Sequence, residues 1–178
     1  MYKRQALDRA VYFANVLGVD TGMFYKRRDY STIVNGKNPI VAHEFLGDNI
    51  DGKDVIIIDD MISSGGSMLD TAKQLKAMNA KRVYICCTFG LFTDGLDRFD
   101  EAYEKCYFDK VVTTNLTYQL PELKSKPYYL EADMSKFLAS IIDFMNHDSS
   151  MMNVYTPTEK IQEILAKYNN RENMYITE

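Results

Sequence analysis

Tryptophan is absent from this chain of 178 residues, histidine occurs twice and cysteine three times. The missing tryptophan decides nothing, but the other scarcities exclude whole classes of protein. Cys86 and Cys87 are adjacent in an apolar run and Cys106 stands apart. That is neither a disulfide framework nor a metal-ligand set, and the three read as reduced thiols of a cytoplasmic protein. No stretch approaches the roughly 18 consecutive apolar residues that a membrane-spanning helix needs, and no secretory signal is read. The formal net charge of −4 argues against general nucleic-acid binding. Internal repeats and low-complexity linkers are also missing. The length suits one domain with a proper core.

What is present is concentrated between Val55 and Ser67. Val55 to Ile58 form a short β-branched run, the mark of a buried strand. Asp59 and Asp60 follow, then Ser63-Ser64-Gly65-Gly66-Ser67, then a helical pattern. Glycines let a backbone approach an anion closely, and the N–H groups that open the next helix bind it. Open α/β sheets bind ligands at the carboxyl ends of their strands, where the two acids lie. Paired carboxylates beside a phosphate nest suit a sugar phosphate, because they accept hydrogen bonds from vicinal hydroxyls or hold Mg²⁺. The segment is not a nucleotide P-loop, since no Gly-Lys-Ser/Thr closes it, nor is it a Gly-x-Gly-x-x-Gly dinucleotide fingerprint.

Along the rest of the chain, apolar spacing predicts a helix over 6–17, a short strand over 20–25 and a basic loop or hairpin over 26–39. Strands are expected over 40–46, 54–58 (read as the central strand), 82–88, 110–114 and 128–130. Helices are expected over 67–78, within 89–106, and over 134–145. The last of these carries a stripe of Met134, Phe137, Leu138, Ile141, Ile142 and Met145. Thr156-Pro157 opens a final helix. Strands alternating with helices predict an α/β fold of three layers, a mainly parallel sheet with helices on both faces. His43 reads as packing or surface, and His147 as a helix C-cap. Asp94, Asp97 and Asp100 lack a calcium-loop spacing and read as a helix start. Tyr103 and Tyr107 read as packing residues.

Lys26-Arg27-Arg28 follow a strand directly, and on their own they describe a solvated loop. Beside a phosphate cradle they acquire a use, because phosphoryl transfer needs positive charge over developing negative charge. These cations, Arg9-Ala10 at a helix start, Gly47 to Gly52, Asp59-Asp60-Met61-Ile62 with Gly65-Gly66-Ser67, Ala80 to Val83 and Thr113-Thr114-Asn115 occur in one order. In that order the chain from about residue 6 to 168 resembles the C-terminal half of the ribose-phosphate pyrophosphokinases.

The resemblance implies a type I phosphoribosyltransferase-like fold. It implies transfer of pyrophosphate from Mg-ATP to ribose 5-phosphate, giving phosphoribosyl pyrophosphate for nucleotide synthesis. Asp59 and Asp60 would hold the ribose hydroxyls, and Ser63, Ser64, Gly65, Gly66 and Ser67 would wrap the 5-phosphate. Lys26 and Arg28 would be the catalytic cations, with Mg²⁺ arriving on ATP and no protein-held metal. A homo-oligomer is expected of the full-length protein. Two departures stand out. Ser63 replaces the family's usual aspartate, removing an anionic acceptor. The family's preceding domain is not seen, and residues 1–5 match nothing expected there. The expected organisation is therefore a non-native or disordered start at 1–5, a phosphoribosyltransferase-like domain at 6–150, and a C-terminal helix with a frayed tail at 151–178. By this reading the chain alone has little synthetase activity. Two alternatives stay open: a non-catalytic regulatory or assembly subunit of the same fold, and a nucleobase phosphoribosyltransferase.

Overall fold

The computed structural model describes residues 3–28, 40–148, 150 and 157–175, with 3–7, 25–28, 40–44 and 171–175 given by their backbone alone. Four strands, β3 (Asp54–Ile62), β4 (Arg82–Gly90), β5 (Lys110–Thr114) and β6 (Tyr129–Ala132), form a parallel sheet in sequence order. A separate antiparallel hairpin pairs β1 (Met23–Arg28) with β2 (Ile40–Leu46). Helices α1 (Lys3–Leu17), α2 (Gly66–Ala77), α3 (Asp97–Glu104), α4 (Ser135–Asn146) and α5 (Pro157–Tyr175) surround the sheet.

The core lies where α2 and α3 cover one face of the sheet. Met68, Leu69, Ala72 and Leu75 recur at helical spacing and are all buried. They meet Val83, Ile85 and Val111, which alternate along β4 and β5 and are fully buried. Phe99, Phe108 and Tyr128 fill the space below α3 in edge contacts, with Phe108 and Tyr128 centroids 5.4 Å apart. Tyr103 packs on the same cluster, as expected. α2 ends where Asn79 takes φ 65° and Ala80 N–H returns to Leu75 O at 3.1 Å, a left-handed stop.

The other face is more open. α1 lies over the carboxyl end of β3, and Gln162 of α5 ties to it through Nε2–Val16 O at 2.8 Å. A cleft of about 550 Å³ remains between Arg9, Tyr12 and Phe13 of α1 and Ile58, Cys86 and Val112 of the sheet. Ile56 and Leu130 are about half exposed, and no residue of α4 is buried. The α4 stripe legible in the sequence therefore faces solvent: Ile142 is 59% and Met145 67% exposed.

Three expectations change in detail. α1 begins at Lys3, so residues 3–5 lengthen the helix expected over 6–17. Lys, Arg and Gln are good helix formers and continue it at little cost. β3 is an edge strand of its sheet rather than the central one, and it runs on to Ile62, so both aspartates lie within it. The first strand is Met23–Arg28 rather than 20–25, so the three cations of the expected loop or hairpin stand on a hairpin strand. The tip between the hairpin strands, and the Thr156 cap, lie outside the described residues.

Candidate phosphate site

β3 carries Asp59 and Asp60 to its carboxyl end, and the chain then turns through Ser63 and Ser64 into α2. Gly65 caps that helix with φ 78° and ψ −11°, a conformation that favours glycine. Its carbonyl accepts from Met68 N–H at 3.0 Å and Leu69 N–H at 2.9 Å. Those bonds open α2, whose N-terminal amides therefore lie at the turn. They bring the positive end of the helix dipole to the turn. The expected cradle residues, Ser63, Ser64, Gly65, Gly66 and Ser67, are thus brought together at one helix start, directly after the acid pair.

The two carboxyls behave as a pair. Asp60 N–H donates to Asp59 Oδ1 at 2.9 Å. Burial first, then hydrogen bonding with the Asp60 carboxyl, raises the Asp59 pKa above the ordinary carboxylate range. Asp60 is held below it, chiefly by the same hydrogen bond from Asp59. Arg9 of α1 adds a contact to Asp60, Nη2 to Oδ2 at 3.9 Å. One acid is thereby kept anionic and exposed while the other is the first to take a proton. Such a pair can accept from two sugar hydroxyls. It can also complete the shell of a divalent cation that arrives with phosphate ligands of its own. Among the described residues no group of three or more His, Cys, Asp or Glu is placed to hold a metal.

Behind the cradle runs a second wall that the sequence reading missed. Leu91 N–H donates to Ile62 O at 2.8 Å and Thr93 N–H to Ser63 O at 3.1 Å. Ser63 Oγ and Thr93 Oγ1 are 3.5 Å apart, and Thr93 Oγ1 donates to Asp94 Oδ1 at 3.2 Å. Asp94 pairs with Arg98 at 3.8 Å. The Phe99 ring lies under Gly65: a Cβ there would come within 2.3 Å of Phe99 Cζ. The three aspartates at 94, 97 and 100 do form a helix start, as expected, with α3 beginning at Asp97. No spacing in the sequence ties that helix to the Gly65-Gly66 turn, because the link is a long-range contact.

The remaining candidates divide. Lys26 and Arg28 stand on β1, opposite His43 and Ile40 of β2, and are described by their backbone alone. Cys86, Cys87 and Cys106 are free thiols, as expected. Burial, with the Asp59 charge nearby, pushes the Cys87 thiol up to about 12, which makes it a packing group and a poor nucleophile. His147 caps α4, its N–H reaching Asp143 O at 3.1 Å, also as expected.

A model of the phosphoribosyl transferase domain matches residues 3–125, more than half of the chain. The chain belongs to that family. Relatives within it include ribose-phosphate pyrophosphokinases. The Thermococcus kodakarensis protein is 34% identical over 61% of this chain and 37% of its own length. The Corynebacterium glutamicum protein is 38% identical over 62% and 32%. The Wolinella succinogenes protein is 31% identical over 83% and 43%. The chain thus spans about a third to two-fifths of the curated relatives it matches. The fold is also that of a phosphoribosylpyrophosphate synthetase crystal structure from Mycobacterium smegmatis. That likeness has a TM-score of 0.65 at 24% identity, covering 80% of this chain and 42% of that one. No helix among the described residues is long and apolar enough to cross a membrane.

Proposed function

We propose that this chain carries the ribose 5-phosphate half of a ribose-phosphate pyrophosphokinase site. The observation that supports this reading most is the run from Asp59-Asp60 into the Gly65 helix cap. It sets an acid pair and an anion-binding helix start on consecutive turns of one chain. The 5-phosphate would sit at the turn of Ser63 to Ser67. The ribose hydroxyls would donate to Asp59 and Asp60. Mg²⁺ would arrive with ATP, and the acid pair suits an ion that takes one or two carboxylates and fills its shell with substrate oxygens. Such an ion, when bound, would offset charge on the transferring pyrophosphoryl group. Lys26 and Arg28 would add fixed positive charge to the same end. A homo-oligomer of the full-length protein and a cytoplasmic setting belong to the same proposal.

Calorimetry tests the reading directly. Ribose 5-phosphate binds the wild-type chain, and Asp60→Asn weakens that binding by about 1.5–3 kcal/mol, the worth of a charge-assisted hydrogen bond. A folded wild-type chain that gives no heat with ribose 5-phosphate refutes it. One observation favours a second reading, a binding module without turnover. Ser63 is exposed and bonded to Thr93, and it cannot accept a proton as a carboxylate would. AMP release from Mg-ATP that depends on ribose 5-phosphate separates the two.

A further inference from the structure

We propose that Arg98, on the first turn of α3, is a phosphate-binding residue of the cradle and supplies its fixed positive charge. The proposal rests on the ribose 5-phosphate reading above and adds a residue from a different crossover. The turn of Ser63 to Ser67 contains no cationic side chain. Amides and hydroxyls alone would face a ligand that carries nearly two charges near neutral pH.

The geometry places Arg98 at this opening. The point that a Cβ on Gly66 would occupy lies 3.7 Å from Arg98 Nη1, and among the described residues no other atom beyond the neighbouring chain and helix backbone lies within 4 Å of it. Beside Gly66, then, is open space bounded by a guanidinium. Arg98 is held there by a relay of polar contacts. Ser63 meets Thr93, Thr93 donates to Asp94 Oδ1, and Asp94 Oδ2 meets Arg98 Nη1. Below, Phe99 is fully buried against Gly65 and fixes the rotation of α3 relative to the turn. The Arg98 side chain is 61% exposed, and its 3.8 Å pair with Asp94 engages one edge of a guanidinium that has five donors. A phosphate oxygen can use the others, in the planar two-point geometry that arginine gives and lysine does not.

A bland role is equally definite in its consequences. If Arg98 serves only its Asp94 partner four residues earlier, its loss touches helix stability and nothing else. The discriminating measurement is selectivity. Ribose 5-phosphate, inorganic phosphate and unphosphorylated ribose are titrated into wild type, Arg98→Gln and Arg98→Lys, with thermal melting to confirm folding. Arg98→Gln is expected to weaken ribose 5-phosphate and phosphate about tenfold and to leave ribose unchanged. The salt dependence of phosphate binding flattens with it. Arg98→Lys recovers part of the loss. Equal affinity of wild type and both variants for ribose 5-phosphate overturns the role of Arg98 and leaves the site reading intact. A wild-type chain that binds neither phosphate nor ribose 5-phosphate overturns both.

Discussion

Replacing Gly65 by alanine tests whether the cradle is built as described. Two costs follow from the structure. Gly65 has φ 78°, and a non-glycine residue in the left-handed region costs roughly 1–2 kcal/mol. The added Cβ would also lie 2.3 Å from Phe99 Cζ and 2.5 Å from Phe99 Cε2. That ring cannot retreat, since it stands edge-on to Phe92 at 5.1 Å and Phe108 at 6.3 Å with no exposed surface. Overpacking of this kind costs about 1–3 kcal/mol. Gly65→Ala should therefore lose about 2–5 kcal/mol, a large share of the ~5–15 kcal/mol that holds a domain of this kind. Urea unfolding measures the loss. A double-mutant cycle with Phe99→Leu isolates its second part, because a smaller side chain removes the collision. The double mutant should then recover about 1–2 kcal/mol relative to the sum of the single variants. A Gly65→Ala protein within about 0.5 kcal/mol of wild type, or strict additivity in the cycle, refutes the contact between turn and α3.

The acid pair makes opposite predictions for its two members. A carboxyl whose folded pKa is raised opposes folding once ionised, so Asp59→Asn should raise the melting temperature near neutral pH. The gain should vanish as pH falls into the ordinary carboxylate range, where wild-type Asp59 is protonated. Asp60, whose folded pKa is lowered chiefly by a hydrogen bond from protonated Asp59, should lose stability on replacement by Asn in the acid range where Asp59 holds that proton, and the loss should disappear as further acid protonates Asp60 itself. Thermal melts across that range check both signs. In the core, Leu75→Ala should cost about 2–4 kcal/mol, since Leu75 is 2% exposed. Leu138→Ala, on the exposed α4 stripe at 43%, should cost less than about 1 kcal/mol, and paired chemical-denaturation curves distinguish them. In a protein that turns over, Lys26→Ala and Arg28→Ala should lower kcat far more than they weaken ribose 5-phosphate binding. Equal losses would mark them as anchors.

The parts of the structure legible in the sequence are those set by local pattern. β5 occupies Lys110–Thr114, the expected span, because an alternating β-branched run bounded by polar residues has one good conformation. α2 differs by one residue at each end, since its four inward residues define the helical face. The turn after Asp60 was readable because acids, hydroxyls and glycines in that order have few other uses. What escaped depends on distant partners. Nothing in Asp94 to Phe99 announces that Phe99 lies beneath Gly65. Nothing between 54 and 58 shows that the strand stands at the sheet edge. The α4 stripe has the spacing of a buried helix, yet periodicity reports amphipathicity and does not name the surface that covers it. For Lys26 and Arg28 the local pattern gave a hairpin, and the roles proposed for them rest on likeness to the family.

The bonds from Leu91 and Thr93 to Ile62 and Ser63 have a consequence for folding order. They join segments separated by about thirty residues of sequence, across all of α2 and β4. A polypeptide released at Gly90 would hold every residue from Asp59 to Ser67, yet neither the ring beneath Gly65 nor the guanidinium beside Gly66. If the turn binds phosphate as proposed, its full affinity should emerge late in synthesis, once the second crossover has closed on the glycine turn. Phosphate binding would then be a readout of how far tertiary assembly has gone.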